Sequence, residues 1–239
     1  CPYCDFNVYR ARGPDNAPLL AAIEADMAAH AARFGKREAA SLFFGGGTPS
    51  LLRGEEIVRL IDAASRSFVL STDCEITLEA NPEDAALFAE QAAAGINRFS
   101  VGMQALDEDA LKALGRKHNV ATAVRAVETA AATGARVSLD LIYAREGQSV
   151  EAWRTELKQA LALPAEHLSL YQLTIEPGTA FGRRVARGKL MLPDAELAAA
   201  HYEATQEVCD AAGAPAYEIS NHARTEAARA RHNMIYWRG

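Results

Sequence analysis

The sequence predicts an α/β protein built on a parallel sheet. Five runs of strand character alternate with helical patterns over most of the chain. That alternation makes βαβ units, and βαβ units make parallel sheets. The strand runs begin at 41, 75, 98, 136 and 167, so they stand 34, 23, 38 and 31 residues apart. Each interval holds one strand and one helix. Beyond Phe181 the alternation breaks.

In chain order, Asp15 to Phe34 reads as a helix: Leu20, Ile23, Met27, Ala31 and Phe34 recur at steps of three and four, and Pro18 fits its first turn. A strand is expected at Ser41–Phe44. Glu55 to Phe68 is helical, with Ile57, Leu60, Ile61, Ala64 and Phe68 on one face. Glu75–Leu78 reads as a short strand, and Asp84 to Ala94 as a helix closed by Gly95. Arg98–Met103 is a strand, Val120–Thr133 a helix closed by Gly134, and Arg136–Tyr143 a strand. Val150–Leu163 is a helix capped by Ser149, with Trp153, Leu157 and Leu161 inward. His167–Leu173 is a strand. Arg183, Arg184, Arg187 and Lys189 read as a basic connection. Asp194 to Ala212 is a long helix with Asp194 as N-cap, and Ala216–Ile219 is a candidate further strand.

Composition sets the bounds. The chain has 239 residues, enough for one large or two small domains. At that size roughly 70–75% of the unfolded surface can be buried, so no disulfide staple is needed. A net charge of −6 argues against a nucleic-acid partner, which would call for a basic face. No apolar run is long enough to span a bilayer, and no signal peptide is visible. Four cysteines, with Cys74 and Cys209 isolated, make no disulfide framework and fit a reducing cytoplasm. Cys74 and Cys209 read as small buried side chains.

Cys1-Pro2-Tyr3-Cys4 brings two thiols close enough to bind one metal centre or to close a redox disulfide. Zinc ribbons use the same spacing. Leu42-Phe43-Phe44-Gly45-Gly46-Gly47-Thr48-Pro49 reads as a buried strand ending in glycines, which let backbone approach a ligand closely. Polar residues stand at the carboxyl ends of the predicted strands, where parallel barrels gather their chemistry: Glu79 with Asn81, Gln104, and Gln172. Asp140 lies inside an apolar strand, Ser138-Leu139-Asp140-Leu141-Ile142, and is costly there unless paired or hydrogen-bonded.

These segments together resemble the radical S-adenosylmethionine (SAM) superfamily, and within it the heme chaperones related to the oxygen-independent coproporphyrinogen III oxidases. The resemblance runs from CPYCDFN through FFGGGTPSLL, EANPE, INRFSVGMQ, LGRKH, SLDLIY and HLSLYQLTIEP to YEISN and RHNMIYW. It implies a partial (β/α)6 TIM-like barrel over residues 1–181, followed over 182–239 by the start of an α+β extension. It also implies a first cysteine four residues ahead of Cys1 and a strand before that, so the chain is expected to be a fragment lacking both, and to stop short of a C-terminal domain.

The resemblance further implies a 4Fe-4S cluster on Cys1 and Cys4, and SAM as cofactor. Tyr3 would lie near the adenine, Gly46, Gly47 and Thr48 would meet the methionine part, and Glu79 would take hydroxyl or amino groups. In the oxidases a second SAM lies near the positions matching Gln104, Arg116, Asp140 and Leu173. Asp and Glu are acceptors for such groups, and Arg can hold a carboxylate bidentately. Arg116 and Lys117 equally fit a solvated helix end. Glu146 stands where the family has proline, and a looser loop is expected there.

Two features separate chaperone from oxidase. The oxidase has an extra cysteine where this chain has Phe6, and the chaperone has HNxxYW, here His232 to Trp237. Imidazole is a common ligand of heme iron, and aromatics can cover a porphyrin face. The expected function is therefore a heme chaperone that binds heme and passes it to an acceptor protein of unknown identity, which could sit at a membrane. The alternatives are the oxidase, and a structural or zinc-binding CxxC protein.

Overall fold

A computed structural model describes residues 1–6 and 15–238. Asn7, in the first motif, lies outside the described residues. The chain opens with helix α1 (Ala17–Phe34), which has Pro18 in its first turn and leaves only Leu20 fully buried. Strand β1 (Glu38–Phe44) leads through the glycine loop and one 3-10 turn (Pro49–Leu51) to α2 (Gly54–Ser67). Ile57, Leu60, Ala63 and Ala64 bury one face of α2. Each large aliphatic side chain so buried contributes about 1.5–3 kcal/mol.

Strand β2 (Val69–Ala80) is much longer than the predicted Glu75–Leu78. Its first part pairs with β1 in a shifted register: Ala39 faces Leu70, but Ser41 faces Glu75. Residues 71–74 are therefore looped out of the pairing. The predicted helix after β2 is a 3-10 segment (Pro82–Leu87) running into α3 (Phe88–Ala93). Strand β3 (Arg98–Gln104) precedes α4 (Glu108–Ala113), capped by the Asp107 side chain on the Ala110 N–H, which the sequence reading left out. Then come α5 (Val120–Ala132), β4 (Arg136–Tyr143), α6 (Val150–Leu161) and β5 (His167–Gln172). Ser149 caps α6, and Trp153, Leu157 and Leu161 are buried as expected.

The basic connection is a correction: Arg183 and Arg184 lie on a helix, α7 (Ala180–Ala186), capped by Thr179. Helix α8 (Ala195–Ala211) is capped by Asp194. The strand expected at 216–219 is also corrected. Only Ala216 makes an isolated bridge, to His222, and the strand is β6 (Asn221–Ala223). The His232 motif lies on α9 (Arg231–Arg238).

The sheet order is β1-β2-β3-β4-β5-β6, with β1 to β5 parallel and β6 antiparallel on β5. The parallel sheet is the one that the strand spacing anticipates, and the partial barrel the one that the family resemblance implies. Alternation splits its two faces. Leu78, Phe99, Val101, Met103, Leu139, Leu141, Leu168 and Leu170 turn outward into one core with Ile57, Val127, Trp153 and Leu157 of the helices. The inner face is polar: Glu75, Thr77 and Glu79 on β2, Arg98 and Ser100 on β3, Arg136, Ser138 and Asp140 on β4, His167 and Ser169 on β5. Deep in that face Glu75 meets Arg98 at 3.4 Å and Arg136 at 2.9 Å, and accepts the backbone N–H of His232 at 3.2 Å. The buried acid thereby fixes the start of α9 on the barrel. Among the described residues no helix is long and apolar enough to cross a membrane.

Candidate functional site

The carboxyl ends of β1 to β4 converge with the Cys1–Cys4 turn. That turn is closed by the Cys4 N–H on the Cys1 carbonyl at 3.3 Å. It is held from outside by two contacts. The Pro2 carbonyl accepts the Phe181 N–H at 2.9 Å, and Pro2 packs on Gly115 so closely that a Cβ there would stand 2.6 Å from Pro2 Cδ. With φ at +69°, Gly115 is glycine on both counts. Tyr3 packs its ring on Phe181, 6.1 Å between centroids, and burial raises its pKa. Leu173 lies buried in the same apolar cluster, its N–H on the Tyr143 carbonyl.

Arg116 joins the thiols to the sheet. It donates to Cys1 Sγ at 3.2 Å, to Asn81 Oδ1 at 2.8 Å and to the Gly102 carbonyl at 3.2 Å. It is drawn inward, while Lys117 stays exposed. Among the described residues Gln104, at φ +67°, is one of two non-glycine residues in the left-handed region; the other is Ala144, at +56°. They stand at the ends of β3 and β4, and backbone of this kind is held in place at functional sites. The Gln104 side chain folds back over Gly102, its Nε2 2.8 Å from where a Cβ on that glycine would be.

Gly45 to Thr48 are exposed at the end of β1. Gly46 has φ +108° and open space where a Cβ would point. Its N–H donates to Glu79 Oε2 at 3.2 Å. Burial raises the Glu79 pKa against that hydrogen bond. Asp140 accepts the Ser100 hydroxyl at 2.9 Å, which supplies the partner its apolar strand demands. Burial pushes its pKa up to about 6; the Ser100 and Ser169 hydroxyls oppose the shift and the Glu79 charge adds to it. Asp140 therefore changes from donor to acceptor as pH rises through about 6, and near neutral pH it is mostly the accepting carboxylate.

His232 stands apart from the Tyr3, Arg116 and Leu173 group. It stacks on Phe43 of β1 at 4.6 Å and meets Tyr236 edge-on at 5.1 Å. Loop 144–149 is firmly tied: Glu146 accepts the Met191 N–H at 2.7 Å, and the buried Arg145–Glu156 pair holds Gln148 as well. A cavity of about 670 Å³ opens beside it, lined by Leu114, Leu173, Phe181 and Arg184 among others. Sequence reasoning missed Ser100, Asn81 as the partner of Arg116, and the Glu75–Arg98 pair. The alternation of polar residues along β2, β3 and β4 was the available signal.

The donor chemistry suits a thiolate-held cluster next to a ligand loop: two thiols on one turn, a guanidinium on one sulfur, and an open glycine backbone facing a carboxylate. Among the described residues no group of three or more His, Cys, Asp or Glu gathers as a metal site. Cys74 and Cys209 are buried, with pKa values raised by burial, that of Cys209 to about 12.

The family model of the radical SAM superfamily matches residues 1–160, and the chain belongs to that superfamily. Membership implies a 4Fe-4S cluster and SAM, which the residues above fit, and favours iron–sulfur over zinc at the CxxC pair. Among curated relatives, the chain is 38% identical over its whole length to the zebrafish "Radical S-adenosyl methionine domain-containing protein 1, mitochondrial", spanning 54% of that protein. It is 39% identical over its whole length to the heme chaperone HemW of Escherichia coli K12, spanning 63% of it. The chain thus spans between about half and two thirds of the relatives it matches. Among solved structures, the coproporphyrinogen III oxidase HemN of Escherichia coli superposes with a TM-score of 0.79 at 23% identity, over 95% of this chain and 53% of that one. That likeness bears on the fold.

Proposed function

We propose that this chain is the cluster- and SAM-binding part of a heme chaperone, which binds heme and hands it to an acceptor protein. The observation that carries the reading is the surface of α9. Tyr236 and Trp237 stand 78% and 58% exposed beside the exposed Ile235, one turn on from His232. Clustered exposed apolar side chains mark an interaction surface. An imidazole with aromatics one turn away suits a flat apolar macrocycle whose iron takes a nitrogen ligand. Burial lowers the His232 pKa and so favours the neutral ring, the form that ligates iron. The relatives named heme chaperone, aligned over the whole chain, support the same reading.

Bound at the strand ends, a cluster supplies one-electron chemistry and SAM a sulfonium. The chain's own part is to bind and orient: Gly46 offers open backbone, Glu79 accepts an ammonium or hydroxyl, and Arg116 is placed to hold a carboxylate. Asp140 can exchange a proton near neutral pH. Four free thiols suit a reducing compartment, and we assign the cytoplasm; the zebrafish relative is named mitochondrial. The acceptor, at a membrane or free of it, is the protein that strips heme from the loaded chaperone.

Anaerobic incubation of the cluster-loaded full-length protein with coproporphyrinogen III is the test. The chaperone reading expects no turnover, together with retention of added heme. Robust formation of protoporphyrinogen would assign the oxidase instead.

A further inference from the structure

The SAM and heme readings draw on two places in the fold, and one side chain touches both. Phe43 lies on the inner face of β1, two residues ahead of Gly45. Its ring stacks on His232 with 4.6 Å between centroids and 25° between planes. The same ring closes on the glycine loop: a Cβ on Gly45 would stand 2.9 Å from Phe43 Cε1 and 3.1 Å from Cδ1. Glu79 Cδ lies 3.3 Å from that point, and Glu79 accepts the Gly46 N–H. The Phe43 ring and the Glu79 carboxylate thus both border the Gly45 backbone, leaving no room for a methyl group there. On the other side His232 is pinned by its own N–H to Glu75 and by the edge contact with Tyr236.

We propose that Phe43 is a positioning residue that couples the two sites. A ligand seated on Gly45–Thr48 and Glu79 holds the Phe43 ring, and through it the His232 imidazole, in the arrangement that binds heme. The proposal rests on the heme and SAM readings above. A contact ordered by the first ligand need not be ordered again by the second, so each ligand tightens the other. The two factors are equal by linkage.

The test uses the full-length, cluster-loaded protein. Heme dissociation constants are read from Soret titrations with and without saturating SAM, for wild type, Phe43→Leu and Phe43→Tyr. Phe43 is partly exposed, so these changes leave the core intact. SAM tightens heme binding by about fivefold or more in wild type and Phe43→Tyr, the lower end of usual couplings. In Phe43→Leu the ratio falls to about one while each ligand still binds alone. Calorimetric titration of SAM with and without heme gives the same factor. A ratio of one in wild type, or an unchanged ratio in Phe43→Leu, overturns the proposal alone. No heme binding by any of the proteins overturns the heme reading and the coupling with it.

Discussion

Glu79 and Gly46 meet at 3.2 Å, the carboxylate at the end of β2 accepting the amide of the glycine loop that follows β1. The pair sets a half-buried acid beside exposed backbone, a place for a ligand carrying both donors and a charge. Glu79→Ala removes a charged acceptor, and losing such a hydrogen bond costs about 1.5–3 kcal/mol, or tenfold and more in affinity. Gly46→Val blocks the approach and forces a β-branched residue to positive φ. Calorimetric titration of SAM into the full-length protein should show both variants weakened. Wild-type affinity in both would remove the site.

Asp140 makes a pH-dependent prediction. Its pKa of about 6 in the fold lies above the ordinary aspartate value of 3.8, so the folded chain holds the proton more tightly than the unfolded one. Stability from this group is full below about pH 4 and is lost as pH rises through about 6. Asp140→Asn keeps an acceptor for Ser100 and removes that loss. It should stabilise by about 3 kcal/mol at pH 7.5 and by only about 1 kcal/mol at pH 4.5. Urea unfolding at the two pH values measures this; a gain independent of pH would contradict the buried-acid account.

The cysteines divide by position. Cys4→Ala in the full-length protein should abolish iron and sulfide loading, because the cluster depends on its thiolates. Cys74→Ala and Cys209→Ala, both in the core, should load like wild type. Iron content after anaerobic reconstitution decides, and a cluster that survives Cys4→Ala but not Cys74→Ala would reverse the ligand assignment.

Glu75 is fully buried between Arg98 and Arg136, under the start of α9. Glu75→Ala strands a buried guanidinium and should cost about 3–5 kcal/mol. Glu75→Gln retains an acceptor for the His232 N–H and should cost less. Urea midpoints order the three proteins; equal midpoints would show that the inner ion pair does not hold the barrel.

Much of this was legible in the residues. β4 was found to the residue, because Arg136–Tyr143 is flanked by Gly134 and a loop and pairs without irregularity on β5. The beginning of β2 was not, because residues 71–74 are looped out of its pairing with β1 and break the period of two. α4 is six residues long, too short to show a helical period, and only the Asp107 cap announced it. In α7 the arginines hid a helix set by Thr179. Glu79 and Asp140 could be picked out as polar residues at or within apolar strands. Their partners Gly46 and Ser100 lie 33 and 40 residues away in sequence, a separation that only the sheet closes.

The central claim is that α9 offers His232 to heme. Heme titration of the full-length protein, comparing wild type, His232→Ala and His30→Ala, tests it most directly. His30 lies on α1, packed on Phe34 and Phe68, far along the chain from the α9 aromatics. The account predicts a shifted Soret band and a dissociation constant raised about tenfold or more for His232→Ala, as for losing an interaction of about 1.4 kcal/mol or more, with His30→Ala like wild type. Identical spectra and affinities for wild type and His232→Ala would contradict it.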